Sequence, residues 1–363
     1  MPHVPPRAWP SPMDIRFALS RLSQGQSLCH EEMTRAMEAI MGGRVAAAQL
    51  AGFLMGLSAK GETATEITAA AEVMRGLSIP VEAPSQHLVD TCGTGGDGAA
   101  TFNISTTAAF VVAAAGGRVA KHGNRSVSSR SGSADVLEAA GVNLDVSPEQ
   151  VGWCIDKLGI GFLFAPRHHL AMQHVGAVRR ELGVRTVFNL LGPLANPARA
   201  ARQLLGVYGP EWVPRIATVL RNLRSEHALV VHGEDGLDEI SIGAPTRIAE
   251  LRDGEIQTYR LAPEDLGLAR AAPGALTCHT PAESLAMMQT VLDDVPGPAR
   301  DVVLINAGAA LYVAGVAHDL AEGLARAREG LAQGRARSKL EALVTMTQAF
   351  GSAGVLGATE APR

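Results

Sequence analysis

Between Met13 and about Ser78, apolar side chains recur every three or four positions. Phe17, Leu19 and Leu22 open the pattern, and Met33, Met37, Ile40 and Met41 continue it, which is the spacing of amphipathic helices. Gly42-Gly43 ends one helix, Val45–Lys60 forms the next with Gly61 as its stop, and Thr63-Ala64-Thr65-Glu66 reads as a capping box opening a further helix to about Leu77. Ile79-Pro80 and Ala83-Pro84 then break the chain. Beyond them the pattern changes to short apolar runs alternating with helices. Strands are expected at 88–91, 118–120, 160–164, 203–207, 228–231, 247–251 and 256–260. Asn103 is placed to cap a helix running to Ala115, and Ser131 to cap that of S-G-S-A-D-V-L-E-A-A. Ser147-Pro148-Glu149-Gln150 carries a cap, a proline at the first helical position and a capping partner. From Ala282 the chain returns to helices, and the stretch after Phe350 reads as irregular.

One interval breaks the alternation. The chain between 164 and 203 is far longer than a single crossover needs, so it reads as an excursion of two helices packing on the N-terminal helices. The expected class is α/β, a small all-helical domain plus a larger α/β domain with a central, mostly parallel sheet flanked by helices. Residues 1–12 are expected to form a disordered leader, and 13–80 the helical domain, completed by 167–197. Residues 81–87 are a hinge, 88–166 and 198–350 the α/β domain, and 351–363 a tail. A ligand cleft is expected between the two domains.

Composition narrows the function. Aromatics make up only 4% of the chain beside 39 glycines, which suits closely packed helices and argues against a base-stacking surface. A formal net charge of −4 supplies no basic footprint, so no nucleic-acid partner is expected. Cys29, Cys92, Cys154 and Cys278 lie far apart without a C-x-x-C pair, which opposes a disulfide framework or a zinc site. With no signal-peptide core and no run of membrane-spanning length, the expectation is a cytoplasmic protein with no membrane partner.

The chemistry gathers in Asp90–Ser133. D-T-C-G-T-G-G-D-G at 90–98 and K-H-G-N-R-S-V-S-S at 121–129 each follow an apolar run and precede a helix. Free backbone N–H groups at the positive end of a helix form an anion site, and two in succession suit a ligand with two phosphate-bearing ends. The first segment alone is a weak signal, more often an ordinary strand-to-helix glycine turn than a phosphate cradle. The second is more specific, because Lys121 supplies a compact charge while Asn124 and the serines supply neutral donors. Asp238-Glu239 is by itself a solvated loop pair, but beside a diphosphate site it suits Mg²⁺, which takes one or two carboxylates plus substrate oxygens. On a helix near 168–182, Ala171, Val175, Val178 and Leu182 form an apolar stripe with Met172 and Arg179 at its edge and Arg180 turned to solvent. Arg179 is either a structural ion-pair partner or an anion receptor, and His168 and His169 read as polar residues at a helix start. No nucleophile elbow, Cys/His pair or Walker motif is present, so no covalent nucleophile is assigned.

These segments closely resemble the anthranilate phosphoribosyltransferases of the tryptophan pathway. The resemblance rests on D-T-C-G-T-G-G-D at 90–97, F-N-I-S-T at 102–106, K-H-G-N-R-S-V-S-S at 121–129 and S-G-S-A-D-V-L-E at 131–138. It continues through H-L-A-M at 169–172, V-R-R-E-L-G at 178–183, R-T-V-F-N-L-L-G-P-L-A-N-P at 185–197 and D-E-I-S at 238–241. Arg130 stands where the family pattern has Lys. The resemblance implies the fold of pyrimidine nucleoside phosphorylases, a homodimer through the helical domain, and Mg²⁺-dependent transfer of phosphoribosyl from 5-phosphoribosyl 1-diphosphate to the amine of anthranilate, with release of pyrophosphate. It implies that Gly93, Gly96, Asp97, Thr101, Asn103, Ile104, Ser105, Thr106 and Ser133 hold the diphosphate substrate. The 121–129 loop would hold it too, through Lys121, His122, Gly123, Asn124, Arg125, Ser126, Val127, Ser128 and Ser129. Ser105, Asp238 and Glu239 would contact Mg²⁺. Gly93, Asn124, Arg179, His169 and Met172 would hold anthranilate. The competing readings are a pyrimidine nucleoside phosphorylase and a non-catalytic nucleic-acid-binding relative of the same fold.

Overall fold

A computed structural model describes residues 15–125, 131–272 and 274–357, with side chains as far as Gly351. Four helices come first: α1 (Ile15–Ser23), α2 (His30–Met41), α3 (Ala47–Lys60) and α4 (Ala64–Leu77). Then follow β1 (Leu88–Gly93), α5 (Ile104–Ala114), β2 (Arg118–Gly123), α6 (Ser133–Ala139), α7 (Pro148–Leu158) and β3 (Ile160–Phe164). The excursion comprises α8 (Ala165–His168), a 3₁₀ turn at Leu170–Met172, α9 (Gln173–Leu182) and α10 (Val187–Leu194). Next come β4 (Arg202–Gly206), α11 (Trp212–Asn222), β5 (His227–Gly233), β6 (Thr246–Arg252) and β7 (Glu255–Leu261). The chain ends in α12 (Pro281–Leu292), α13 (Pro298–Val313), α14 (Leu320–Ala332) and α15 (Arg335–Gly357). The described residues fall into two compact units: the chain up to Leu77 with Leu170–Leu191, and Ser78–His169 with the chain from Gly192 onward.

In the helical unit, α9 packs on α2 and α3. Glu66 is fully buried and organises the junction of α3 and α4. It accepts from Lys60 Nζ, Leu28 N and Thr63 N, each at 2.8 Å, and Thr63 Oγ1 in turn accepts from Glu66 N at 3.2 Å. The capping box expected from the sequence is therefore present, joined by a buried ion pair whose remaining lone pairs are satisfied.

The second unit is built on a seven-stranded sheet in the order β3-β2-β1-β4-β5-β6-β7. The first five strands in this order are parallel, β6 pairs antiparallel with β5, and β7 pairs antiparallel with β6. All seven expected strands are present: β3 has the expected bounds, β4 lies one residue earlier, and the other five are two or three residues longer. α5 is apolar on every side, with ten of its residues buried, so it is a core helix and not a surface amphipath. It packs against α13, α14 and α15. Phe102 and Phe110 are each about 1% exposed in this core, where truncation to Ala costs ~3–5 kcal/mol. β1 lies between β2 and β4, whose chain connections leave in opposite directions. Such a switch point opens a crevice at the carboxyl ends of the parallel strands.

Two local expectations differ from what is observed. The stretch after Phe350 is not irregular, since α15 continues to Gly357. An established helix adds one hydrogen bond per residue, and this outweighs the glycines. The helix read at 168–182 is interrupted: Ala171 and Met172 lie in the 3₁₀ turn, so α9 carries the stripe only from Val175. The leader 1–12 lies outside the described residues.

Candidate active site

Three loops at the carboxyl ends of β1, β2 and β5 gather the polar residues of the second unit. The loop after β1 passes through Gly95, Gly96 and Gly98 at φ of 66°, 74° and 77°, a left-handed path that side chains resist. It is tied to a distant segment by Phe102 N donating to Leu276 O at 3.0 Å and by an isolated bridge from Thr101 to Thr277. Asp97 Oδ1 accepts from Ala99 N at 3.1 Å within the loop.

Asn103 is the N-cap residue of α5, as expected, but its side chain makes no capping bond. Its Oδ1 accepts from Ser131 Oγ at 2.9 Å and Ser284 Oγ at 2.7 Å, and its Nδ2 donates to Ser131 O at 3.2 Å. The side chain therefore fastens the first loop to the second and to α12, leaving the N-terminal turn of α5 to other partners. Ser131 is drawn into the same network, so α6 starts at Ser133 with Gly132 as its N-cap, and Asp135 Oδ2 accepts from Gly132 N at 2.8 Å. Ile104 is buried, and Thr106 Oγ1 is a buried hydroxyl with no partner.

Lys121 is 3% exposed near the end of β2. Its ammonium donates to Thr91 O and, at 3.2 Å, to Ser105 Oγ. Burial lowers its pKa, opposed by the charges of Asp90, Cys92, Glu239 and Asp238. Ser105 N donates to Glu239 Oε1 at 3.2 Å, so Ser105 at the start of α5 joins the cation to the carboxylate. Asp238 Oδ2 accepts from Gly95 N at 2.7 Å. A Cβ on Gly93 would lie 2.4 Å from that same oxygen, and one on Gly206 would lie 1.6 Å from the Asp238 backbone oxygen. Both glycines are therefore required for this loop to reach the ends of β1 and β4.

Carboxylates are crowded here. Burial, then Asp97 and Glu239, push the Asp238 carboxyl well above its usual range. Burial pushes Glu239 up to about 7, against the pull of Lys121 and Ser105. Such a site gains from an added cation. Among the described residues no group of three or more His, Cys, Asp and Glu side chains is arranged to hold a metal by itself. Two carboxylates and the Ser105 hydroxyl fit Mg²⁺ completed by substrate oxygens and water, and do not fit an all-protein cage.

The second loop is described in part. Ser126, Val127, Ser128 and Ser129 lie outside the described residues, as does Arg130. Gly123 lies against Ser133 and Phe162, where a Cβ would approach to 2.2 and 2.7 Å. Asn124 is exposed, and its backbone oxygen accepts from Ser133 Oγ at 3.3 Å and Ala134 N at 3.2 Å. The Arg125 guanidinium is engaged with Glu138 at 2.7 and 2.9 Å and with Asp135 at 3.3 Å, and it lies over the Phe164 ring. Its side chain is thus tied to α6.

His122 and His169 are buried with ring centroids 5.0 Å apart. His122 Nδ1 is 3.1 Å from Gly192 O, while Nε2 of each ring has no partner. Burial, with neighbouring imidazoles, lowers His122 to about 3 and His169 to about 4, so both rings are neutral. His168 is also buried, with Nδ1 3.1 Å from Ile79 O, and the two histidines end α8 and do not start a helix as expected. In the helical unit Arg179 is half-buried over the Phe188 ring, 5.4 Å from its centroid, and Arg180 is exposed. Met172 is half-buried.

Comparison with known proteins fits this geometry. Residues 85–337 match the α/β domain of a glycosyl transferase family, and 17–78 match that family's helical bundle domain. A curated anthranilate phosphoribosyltransferase of Thioalkalivibrio sulfidiphilus is 61% identical over 335 residues, spanning 92% of this chain and 99% of the relative. The chain belongs to the anthranilate phosphoribosyltransferase family. The crystal structure of the Thermus thermophilus anthranilate phosphoribosyltransferase is 48% identical with a TM-score of 0.86, over 91% of this chain and 99% of that one. The Saccharomyces cerevisiae anthranilate phosphoribosyltransferase, solved in complex with PRPP and Mg, is 26% identical with a TM-score of 0.85, over 92% and 98%.

Ser284 and Asn306, both fully buried, escaped the sequence reading. A lone polar residue within an apolar helical run, as in V-V-L-I-N-A-G-A-A-L, is the signal that marks Asn306, because a buried amide must find partners, whereas Ser284 follows Glu283 and carries no such signal.

Proposed function

We propose that this chain transfers phosphoribosyl from 5-phosphoribosyl 1-diphosphate to the amine of anthranilate, with Mg²⁺ as cofactor, at the loops following β1, β2 and β5. The observation that carries the reading is the convergence of buried Lys121, the N-terminus of α5 at Ser105, and the Asp238–Glu239 pair. Gly96, Asp97, Thr101 and Asn103 form the donor loop, with Ser105, Thr106 and Lys121 facing the diphosphate and Ser133 at the start of α6. Asp238, Glu239 and Ser105 hold Mg²⁺, which neutralises the leaving diphosphate.

As the ribose C1–O bond breaks, negative charge grows on the diphosphate and positive charge on the ribose. Lys121 and the backbone donors of the α5 N-terminus are already fixed where the negative charge appears, so stabilising it needs no reorganisation. Anthranilate's aromatic amine is neutral near pH 7, so positioning suffices and no strong base is needed. We assign Arg179 to the anthranilate carboxylate, with Gly93, Asn124, His169 and Met172 beside the acceptor. The partnerless Nε2 of His169 supports its place beside the acceptor, since a neutral buried ring offers a hydrogen bond without adding charge.

We propose a homodimer through the helical domain, where Phe17 on α1 and Met55 on α3 are 39% and 40% exposed. All four cysteines are free, as suits the reducing cytoplasm in which we place the reaction. No described helix is long and apolar enough to cross a membrane. The test is pyrophosphate release. It should require anthranilate, 5-phosphoribosyl 1-diphosphate and Mg²⁺ together, and phosphate-dependent cleavage of thymidine or uridine in its place would overturn the reading.

A further inference from the structure

We infer that Asn306, on α13 and outside every motif that marks the site, is the positioning residue that sets the Asp238–Glu239 pair for the metal-bearing diphosphate. The inference rests on the functional reading above. Asn306 is completely buried, and its amide grips the backbone on the far side of Glu239. Oδ1 accepts from Ile240 N at 3.0 Å, and Nδ2 donates to Ile240 O at 2.9 Å and to Val302 O at 2.8 Å. A primary amide is the one neutral side-chain type that meets a backbone N–H and C=O of the same residue at once, while its second N–H returns to its own helix.

The loop held in this way carries the carboxylates one and two positions earlier. Its other end lies in the gap left by Gly93 and Gly206, with Asp238 Oδ2 taking the Gly95 N–H. The pair is thus gripped from β1 on one side and from α13 on the other. α13 is itself a firm support. At Gly308, a Cβ would lie 2.7 Å from Leu324 N, so α13 and α14 are in backbone contact two residues beyond Asn306. Metal ligands held at an ångström's tolerance need such a shell, and loss of an outer partner typically costs about 10- to 100-fold in metal affinity.

The variants are Asn306→Leu, branched at Cγ like Asn but bulkier and with no polar atom, and Asn306→Ser, smaller and able to bond only within its own helix. Thr347→Val serves as control. Thr347 is equally buried and hydrogen-bonded, donating to Leu343 O at 2.8 Å, but lies on α15. Calorimetric titration with Mn²⁺ plus 5-phosphoribosyl 1-diphosphate should show binding weakened at least about tenfold in both Asn306 variants and unchanged in Thr347→Val. Anthranilate KM should stay near the wild-type value. Thermal stability should fall in all three variants, so the metal-dependent affinity is what separates positioning from packing. Either folded Asn306 variant binding Mn²⁺ and the diphosphate substrate as wild type does, or both substrates weakening alike, would overturn the inference. Failure of the wild-type protein to bind the pair would instead overturn the functional reading.

Discussion

Gly93→Ala adds one methyl group and tests how tightly the carboxylate loop is fitted. Gly93 ends β1 without a positive φ, so alanine introduces no backbone strain of its own. The new Cβ would lie 2.4 Å from Asp238 Oδ2 and 3.0 Å from its Cγ. Carbon and oxygen ordinarily come no nearer than about 3.3 Å. The carboxylate must retreat by roughly an ångström, which carries it out of range of the Gly95 N–H that it now meets at 2.7 Å. A hydrogen bond to a charged group contributes about 1.5–3 kcal/mol, which corresponds to roughly 10- to 150-fold in kcat/KM if the misplaced carboxylate acts on the transition state. Steady-state rates across a Mg²⁺ titration, with a thermal melt, check this. The expected result is a rate loss of that size, a higher Mg²⁺ requirement and a nearly unchanged Tm. Gly206→Ala is the contrast, because its Cβ would meet the Asp238 backbone oxygen at 1.6 Å, and backbone must move. Gly206→Ala should lower Tm sharply. Wild-type rate and Mg²⁺ dependence in Gly93→Ala, or a Tm loss as large as that of Gly206→Ala, would refute the reasoning.

Arg179→Ala should raise the anthranilate KM far more than that of the diphosphate substrate, and equal effects would mark Arg179 as structural. Glu239 titrates at about 7 when folded against an ordinary 4.5. Folding then takes up a proton between those values, so its stabilising contribution is complete below about pH 4.5 and is lost as pH rises through 7. Melting curves of the substrate-free protein from about pH 5 to 8 should show this decline, shallower in Glu239→Gln, with diphosphate and Mg²⁺ binding tightening over the same interval. A pH-independent Tm in that window would contradict the assignment. Ser284→Ala removes a buried hydroxyl that bonds both Asn103 Oδ1 and Asn103 N, at 2.7 and 3.0 Å. It should weaken binding of the diphosphate substrate about fivefold or more, as the loss of one such bond, about 1 kcal/mol, implies, while sparing Arg179-dependent anthranilate binding. Calorimetry with each substrate separates the two.

Elements and strands were legible in the chain because their periods are local. Thr63-Ala64-Thr65-Glu66 and Ser147-Pro148-Glu149-Gln150 cap their helices as read, since each box closes within four residues. Asn103 and Ser131 misled because both have capping chemistry, and the bonds that claimed them come from α12 and from each other across the fold. His169 has a polar side chain in a helix-like run, but its burial against His122 is set by β2 and the 165–169 segment together. What Gly206 and Asn306 hold in place was invisible for the same reason. One looks like the end of a strand and the other like a stray amide on an apolar helix, until the Asp238 loop lies between them.

The most direct measurement is a crystal structure of this protein with 5-phosphoribosyl 1-diphosphate and Mg²⁺. The diphosphate should lie at the N-terminus of α5 against Lys121, with the metal between its oxygens and the carboxylates of Asp238 and Glu239. A diphosphate bound away from Ser105 and Lys121, or a metal that touches neither carboxylate, would contradict the account.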